Sequence, residues 1–145
     1  MTNSARGYMA SGFFRGNRVP QHIQNQIINM YCKDNNLTYL LARAEYSFTN
    51  GSFSQLNAAL QEDISHIVFY SIWQLPEEKH KRLEIYSKAI THRITLHFVC
   101  ESEIIRSDEN IEQVESFIEI TDSLRIGGYY NYLEILSKAL QTSCA

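Results

Sequence analysis

Proline and glycine are scarce in this 145-residue chain, at 2 and 6 residues. That scarcity excludes collagen-like, linker-like and low-complexity builds, and leaves an ordinary globular composition with 44% hydrophobic and 20% charged residues. Cysteine is equally sparse. Cys32, Cys100 and Cys144 are odd in number and far apart, which makes a poor disulfide framework and no metal motif; the pattern points to reduced thiols in a cytoplasm. No apolar run approaches the roughly 20 residues that span a bilayer, and the start, MTNSARGYMASG, lacks the apolar core of a signal peptide. No membrane partner is expected. His66, His80, His92 and His97 show no ligand spacing, so no metal is expected. Walker and GxGxxG glycine loops are both missing, and no nucleotide cofactor is expected.

One further absence is local. No carboxylate precedes Asp34, whereas Arg6, Arg15, Arg18 and Lys33 give residues 1–33 a charge of +4; residues 34–145 hold 9 basic against 16 acidic residues, or −7. The overall −3 offers no broad phosphate-binding surface, so any anion site is confined to the N-terminal stretch.

What is present alternates between strand and helix. Gly7–Ala10 reads as a strand that empties into a loop bearing Ser11, Gly12, Arg15, Gly16 and Arg18. Pro20 suits a first helical position, and Ile23, Ile27, Met30 and Tyr31 repeat at helical spacing, so residues 21–33 form a helix closed by Asn35 and Asn36. Residues 37–42 read as a second strand and 43–51 as a loop. Ser52 and Gln55 form a capping box for a short helix with Phe53, Leu56, Ala59 and Leu60 inward. Residues 64–72, ISHIVFYSI, lack polar alternation, which suits a central parallel strand buried on both faces. Pro76, Glu77 and Glu78 start the next helix, with Leu83, Tyr86 and Ile90 inward. Ile94, Leu96, Phe98 and Cys100 alternate as a fourth, half-exposed strand. Asp108 opens a helix that Gly127 and Gly128 stop, and Tyr129, Leu133, Leu136 and Leu140 stripe a last one. The expected fold is a single α/β domain: a mostly parallel four-stranded sheet with helices on both faces over residues 6–102, then a helical hairpin over 103–145.

In such sheets ligands bind beyond the carboxyl ends of the strands. That rule gathers Ser11 and the arginine loop, then Arg43, Glu45 and Tyr46, then Tyr70, Ser71 and Gln74, and finally Glu101. Arg15 and Arg18 suit a phosphate through their planar forks, or else simply solubilise a loop. Ser11 reads as a nucleophile or as a plain loop serine, and a nucleophilic serine needs a base or a strongly anion-stabilising setting. His22, in a helix first turn where the dipole disfavours the protonated ring, is a neutral base or a surface residue. Glu45 and Glu101 form an acid–base pair, or stand as separate solvated acids or counter-ions for the arginines. Tyr70 and Trp73 stack on a sugar or belong to the core.

GYMAS at Gly7–Ser11, YCKDNN at Tyr31–Asn36, HIVFYSIWQLPEE at His66–Glu78 and RITLHFVCES at Arg93–Ser102 resemble the catalytic domain of serine recombinases of the resolvase–invertase type. The resemblance implies a resolvase-like, flavodoxin-like α/β fold with Ser11 at the family's nucleophile position. It departs at the chemistry. Met9 stands where that family has an arginine two residues before its serine, and Trp73–Glu77 stands where it has an Asp-Arg-Leu-x-Arg run. Those arginines stabilise the charge of phosphoryl transfer, so DNA recombination is not expected.

RGYMAS, GNRVPQHIQNQIINMYC, YLLARAEYSF, IVFYSIWQLPEE and LHFVCE also resemble the sporadic carbohydrate cluster family of small bacterial proteins. That resemblance implies a place among surface-polysaccharide and sugar-nucleotide biosynthesis, without a reaction to carry over. Together with the arginine loop, this context suits a small enzyme acting on a sugar phosphate or nucleotide sugar, in which Arg15 and Arg18 are expected to hold phosphate, Gln21 and Gln74 to orient hydroxyls, and Ser11 or Glu45 to do chemistry. The alternative is a non-catalytic binding component of a glycan assembly. The wide apolar surface of the last helix fits a homodimer, or a cover for one face of the sheet.

Overall fold

The computed structural model describes residues 3–12, 18–46 and 52–143, with only the backbone described at 126–137 and 141–143. It forms two units, residues 1–108 and 109–145. The first unit is a five-stranded sheet in the order β2-β1-β3-β4-β5, with β1 at Ser4–Ala10, β2 at Thr38–Glu45, β3 at His66–Phe69, β4 at Thr95–Phe98 and β5 at Glu103–Ile105. The first four run parallel and β5 pairs antiparallel to β4. The apolar third strand lies at the centre, as its unbroken hydrophobicity implies.

Helices cover both faces. On one, Ile28 and Cys32 of α1 (Gln21–Asp34) pack with Ala5 and Val68. On the other, the Tyr8, Phe69 and Phe98 rings stand in a row, with neighbouring centroids 5.1 and 4.9 Å apart. Tyr8 there donates to Glu45, whose carboxylate starts α2 (Ser54–Ala59). α3 (Lys79–Thr91) lies beside α2, Lys88 Nζ donating to Asn57 Oδ1 at 3.0 Å.

The structure corrects several expected boundaries. Five strands replace four, because β5 is too short, at three residues, to show a periodicity. β2 continues through the expected loop as far as Glu45: Arg43 pairs with Tyr8 in the ladder and its charge meets Glu62 at 2.7 Å. β2 also carries one extra residue, since Arg6 faces Leu40 while Tyr8 faces Arg43. This bulge leaves Leu41 86% exposed on the edge strand. The central strand ends at Phe69, and Ile72–Gln74 is a 3-10 turn. α3 starts at Lys79, after an extended Glu78, because the buried Arg82 guanidinium holds the Pro76 and Glu77 carbonyls. Its inward residues are Arg82, Ile85, Tyr86 and Ala89, with Leu83 exposed. β4 is buried from Leu96 to Phe98 instead of half-exposed.

The Ser52–Gln55 capping box does not form. Phe53 holds the N-cap position in left-handed backbone (φ 50°), and Glu45 caps the helix from the adjacent strand. In the second unit the expected hairpin is one helix, α4, from Asp108 to Ser143. Gly127 and Gly128 lie inside it, because glycine within a helix costs only about 1 kcal/mol relative to alanine and stops one only where the backbone turns left-handed. No described helix is long and apolar enough to cross a membrane.

Candidate functional site

From β1 the chain crosses to β2 on one side, and from β3 it crosses to β4 on the other, so the carboxyl ends of β1 and β3 flank the topological switch point. A crevice at that point is where open α/β sheets take ligands.

β1 delivers Ser11 and Gly12, both half-exposed. Ser11 is fastened to the neighbouring strand: its N–H donates to the Glu45 carbonyl at 3.0 Å and its Oγ to the same oxygen at 3.3 Å. The following residues 13–17 include Arg15, which lies outside the described residues. The chain is described again at Arg18, an exposed cation, and enters α1 through Pro20.

The start of α1 is open. No side chain caps it and its first turn has no acid. Pro20 O accepts the N–H groups of Ile23 and Gln24, which leaves those of Gln21 and His22 at the helix end, where donors and the macrodipole favour an anion. Beside them, the side-chain nitrogen of Gln21 is buried without a hydrogen-bond partner. His22 is exposed at the same turn.

The two candidate carboxylates are occupied by the fold. Glu45, 7% exposed, accepts from Tyr8 Oη at 3.0 Å, Ser54 Oγ at 3.2 Å, and the N–H groups of Gln55 at 3.0 Å and Leu56 at 3.4 Å. Burial first, and then the charge and hydrogen bond of Glu45, push the Tyr8 hydroxyl far above its usual range; it is a permanent donor. Glu101 holds the exit of β3, accepting from Ser71 Oγ and from the Ile72 N–H, each at 2.8 Å. The structure does not bring the two acids together as a pair; each serves a different element.

Ser71 and Gln74 are likewise buried. Ser71 Oγ caps the 3-10 turn through the Trp73 N–H, and Gln74 Oε1 accepts from the Ser71 N–H at 3.2 Å. Tyr70, half-buried, packs against the Ala5–Ile28–Cys32–Val68 cluster on the α1 face of the sheet. Tyr46 is half exposed at the end of β2. Gln24, not among the sequence candidates, is fully buried and joins the exits of β1 and β3. The available signal was its spacing, four residues before Ile28 and eight before Cys32, the stripe that α1 buries in place of Ile23 and Met30, which are exposed.

The +4 of the first 33 residues is not one patch. Arg6 is consumed by Glu62 at 2.9 Å, and Lys33 sits in the last turn of α1. Arg18 is the described basic residue of the stretch that stays at the strand exits. Met9, two residues before Ser11, packs against the Ala5–Ile28–Cys32–Val68 cluster. Among the described residues no group of three or more metal-ligating side chains forms.

This architecture is the resolvase-like α/β fold. The chain is similar to the N-terminal catalytic domain of TP901-1 integrase, at 12% identity and a TM-score of 0.61 over 87% of this chain and 99% of that one. It is similar also to a resolvase family site-specific recombinase from Streptococcus pneumoniae, at 9% identity and a TM-score of 0.57 over 97% and 99%. No protein-family model and no curated protein matches the chain.

Proposed function

We propose that the β1 exit and the open start of α1 bind the phosphate of a sugar phosphate or nucleotide sugar, and that the protein works in surface-glycan biosynthesis, as the sporadic carbohydrate cluster resemblance implies. The observation that carries this reading is the uncapped, acid-free first turn of α1 with the partnerless Gln21 amide nitrogen, preceded three residues earlier by the exposed Arg18. A charged hydrogen bond contributes about 1.5–3 kcal/mol and a helix end about 0.3–1 kcal/mol, enough for modest affinity without a metal. Ser11 is the hydroxyl positioned next to such a group, and Glu45 supports it through the backbone instead of acting as a base. Self-association through the apolar 129–140 sequence belongs to the same reading.

The alternative is a non-catalytic component that only binds the nucleotide sugar. Thermal-shift titration with inorganic phosphate, sugar 1-phosphates and nucleotide sugars, followed by product analysis, tests both. Stabilisation with turnover supports the enzyme, stabilisation alone the binding component, and no stabilisation by any of them refutes the anion site. Arg18→Ala should weaken a bound phosphate about tenfold, equivalent to about 1.4 kcal/mol, with the fold intact.

A further inference from the structure

Residues 10 and 19, the two ends of the loop between β1 and α1, are tied to one side chain. Gln24 Nε2 donates to the Ala10 carbonyl at 2.9 Å and to the Val19 carbonyl at 2.7 Å, while its Oε1 accepts from the Ala10 N–H at 3.3 Å. Both amide hydrogens are therefore spent on closing the loop base. The same Oε1 accepts from Gln74 Nε2 at 2.7 Å, and Gln74 Oε1 accepts from the Ser71 N–H. Ser71 Oγ continues to Glu101. Gln24 and Gln74 are both buried, at 0 and 4% exposure, so water cannot stand in for a lost partner.

We infer that Gln24 and Gln74 are positioning residues that latch the base of the connection after β1, at Ala10 and Val19, to the turn after β3, so that the two strand exits at the switch point hold one geometry together. Chain order supports the inference. The two glutamines are 50 residues apart and belong to different crossovers, and the β3 turn touches the loop base through this pair of amides. A buried, hydrogen-bonded polar chain fixes a unique arrangement more strongly than apolar packing does, because each member leaves another unsatisfied if it moves. The latch concerns the same site as the proposed phosphate function, but it stands on hydrogen bonds within the protein and can be tested without any ligand.

The test is site-resolved amide hydrogen exchange on the full chain, comparing wild type with Gln24→Met, Gln74→Met and the double variant. Methionine keeps the length and removes both hydrogen-bonding groups. In Gln74→Met the N–H of Ser11, at the exit of the neighbouring strand β1, should exchange at least tenfold faster, whereas those of Val68 and Leu96 in the core strands keep their wild-type rates. The double variant should exchange no faster at Ser11 than Gln24→Met alone, since the two act through one connection. Equal acceleration at Ser11 and in the core strands would indicate general destabilisation and overturn the latch, as would an unchanged Ser11 rate in Gln74→Met. Should Gln24→Met not fold, Gln74→Met decides alone. Loss of phosphate binding with the latch intact would count against the proposed function only.

Discussion

The ring of Tyr39 lies against Gly7, so close that a β-carbon on residue 7 would stand 2.7 Å from the tyrosine oxygen and 2.9 Å from Cε1. The ring cannot easily yield, because its hydroxyl donates to Asn25 Oδ1 of α1 at 2.5 Å, and Ala42 blocks the same space at 3.1 Å. Gly7→Ala should therefore destabilise the protein by about 1–3 kcal/mol, as overpacking does. Pairing it with Tyr39→Phe, which frees the ring from Asn25, should recover part of the loss in urea unfolding. A Gly7→Ala variant as stable as wild type would show that the contact relaxes without cost.

Glu45 should prove structural. Glu45→Gln swaps one carboxylate oxygen for an amide nitrogen that faces either the Gln55 N–H and Ser54 hydroxyl or the Leu56 N–H and Tyr8 hydroxyl. The expected cost is about 1–3 kcal/mol, from a lost cap and an unsatisfied buried donor. Chemical denaturation measures it. A variant of unchanged stability that has lost turnover would instead return Glu45 to a chemical role.

Acid should weaken the fold through a histidine pair. His97 Nδ1 meets Tyr31 Oη at 2.8 Å and its Nε2 meets His66 Nδ1 at 2.9 Å. Burial, then the charges of His66 and Arg106, lower His97 from 6.5 to about 4; burial and Arg106 lower His66 as well. The unfolded chain therefore binds protons that the folded chain refuses. This contribution is complete above pH 6.5 and is lost as pH falls toward 4, and it is worth on the order of 3 kcal/mol for a shift of that size. His97→Asn should shrink the stability difference between pH 7 and pH 4.5. An unaltered difference would place the acid sensitivity elsewhere.

The glycines of α4 distinguish one helix from two. Within a continuous helix, Gly127→Ala and Gly128→Ala should each stabilise by about 1 kcal/mol and raise the far-ultraviolet helical signal. At a turn with positive φ, the same substitutions would destabilise.

Supercoiled plasmid should stay intact with the purified protein, and no covalent adduct should form at Ser11. Met9 occupies the position two residues before the serine as a packed apolar side chain, and Trp73 and Gln74 belong to a capped 3-10 turn, so neither segment presents a guanidinium to a phosphodiester. A serine–DNA adduct in mass spectrometry would refute this.

The sequence by itself determined the alternation of elements, the centrality of the third strand and the limits of α1. These depend on local periodicity, on Pro20 before the helix and on Asn36, which takes the left-handed backbone expected at a helix end (φ 56°). It also placed Ser11, Glu45, Ser71 and Glu101 at strand exits, since parallel strands all deliver their carboxyl ends to one edge. Only the tertiary structure decided what these residues do. Glu45 caps a helix nine residues further along the chain, and Glu101 holds a turn thirty residues earlier. Gln24 finds a partner fifty residues away. The +4 of the first 33 residues divided for the same reason, Arg6 meeting Glu62 in the connection between α2 and β3. A polar side chain's role is set by whichever donors, acceptors and charges share its buried surroundings. Those neighbours are brought together by strand order, which no window of sequence contains.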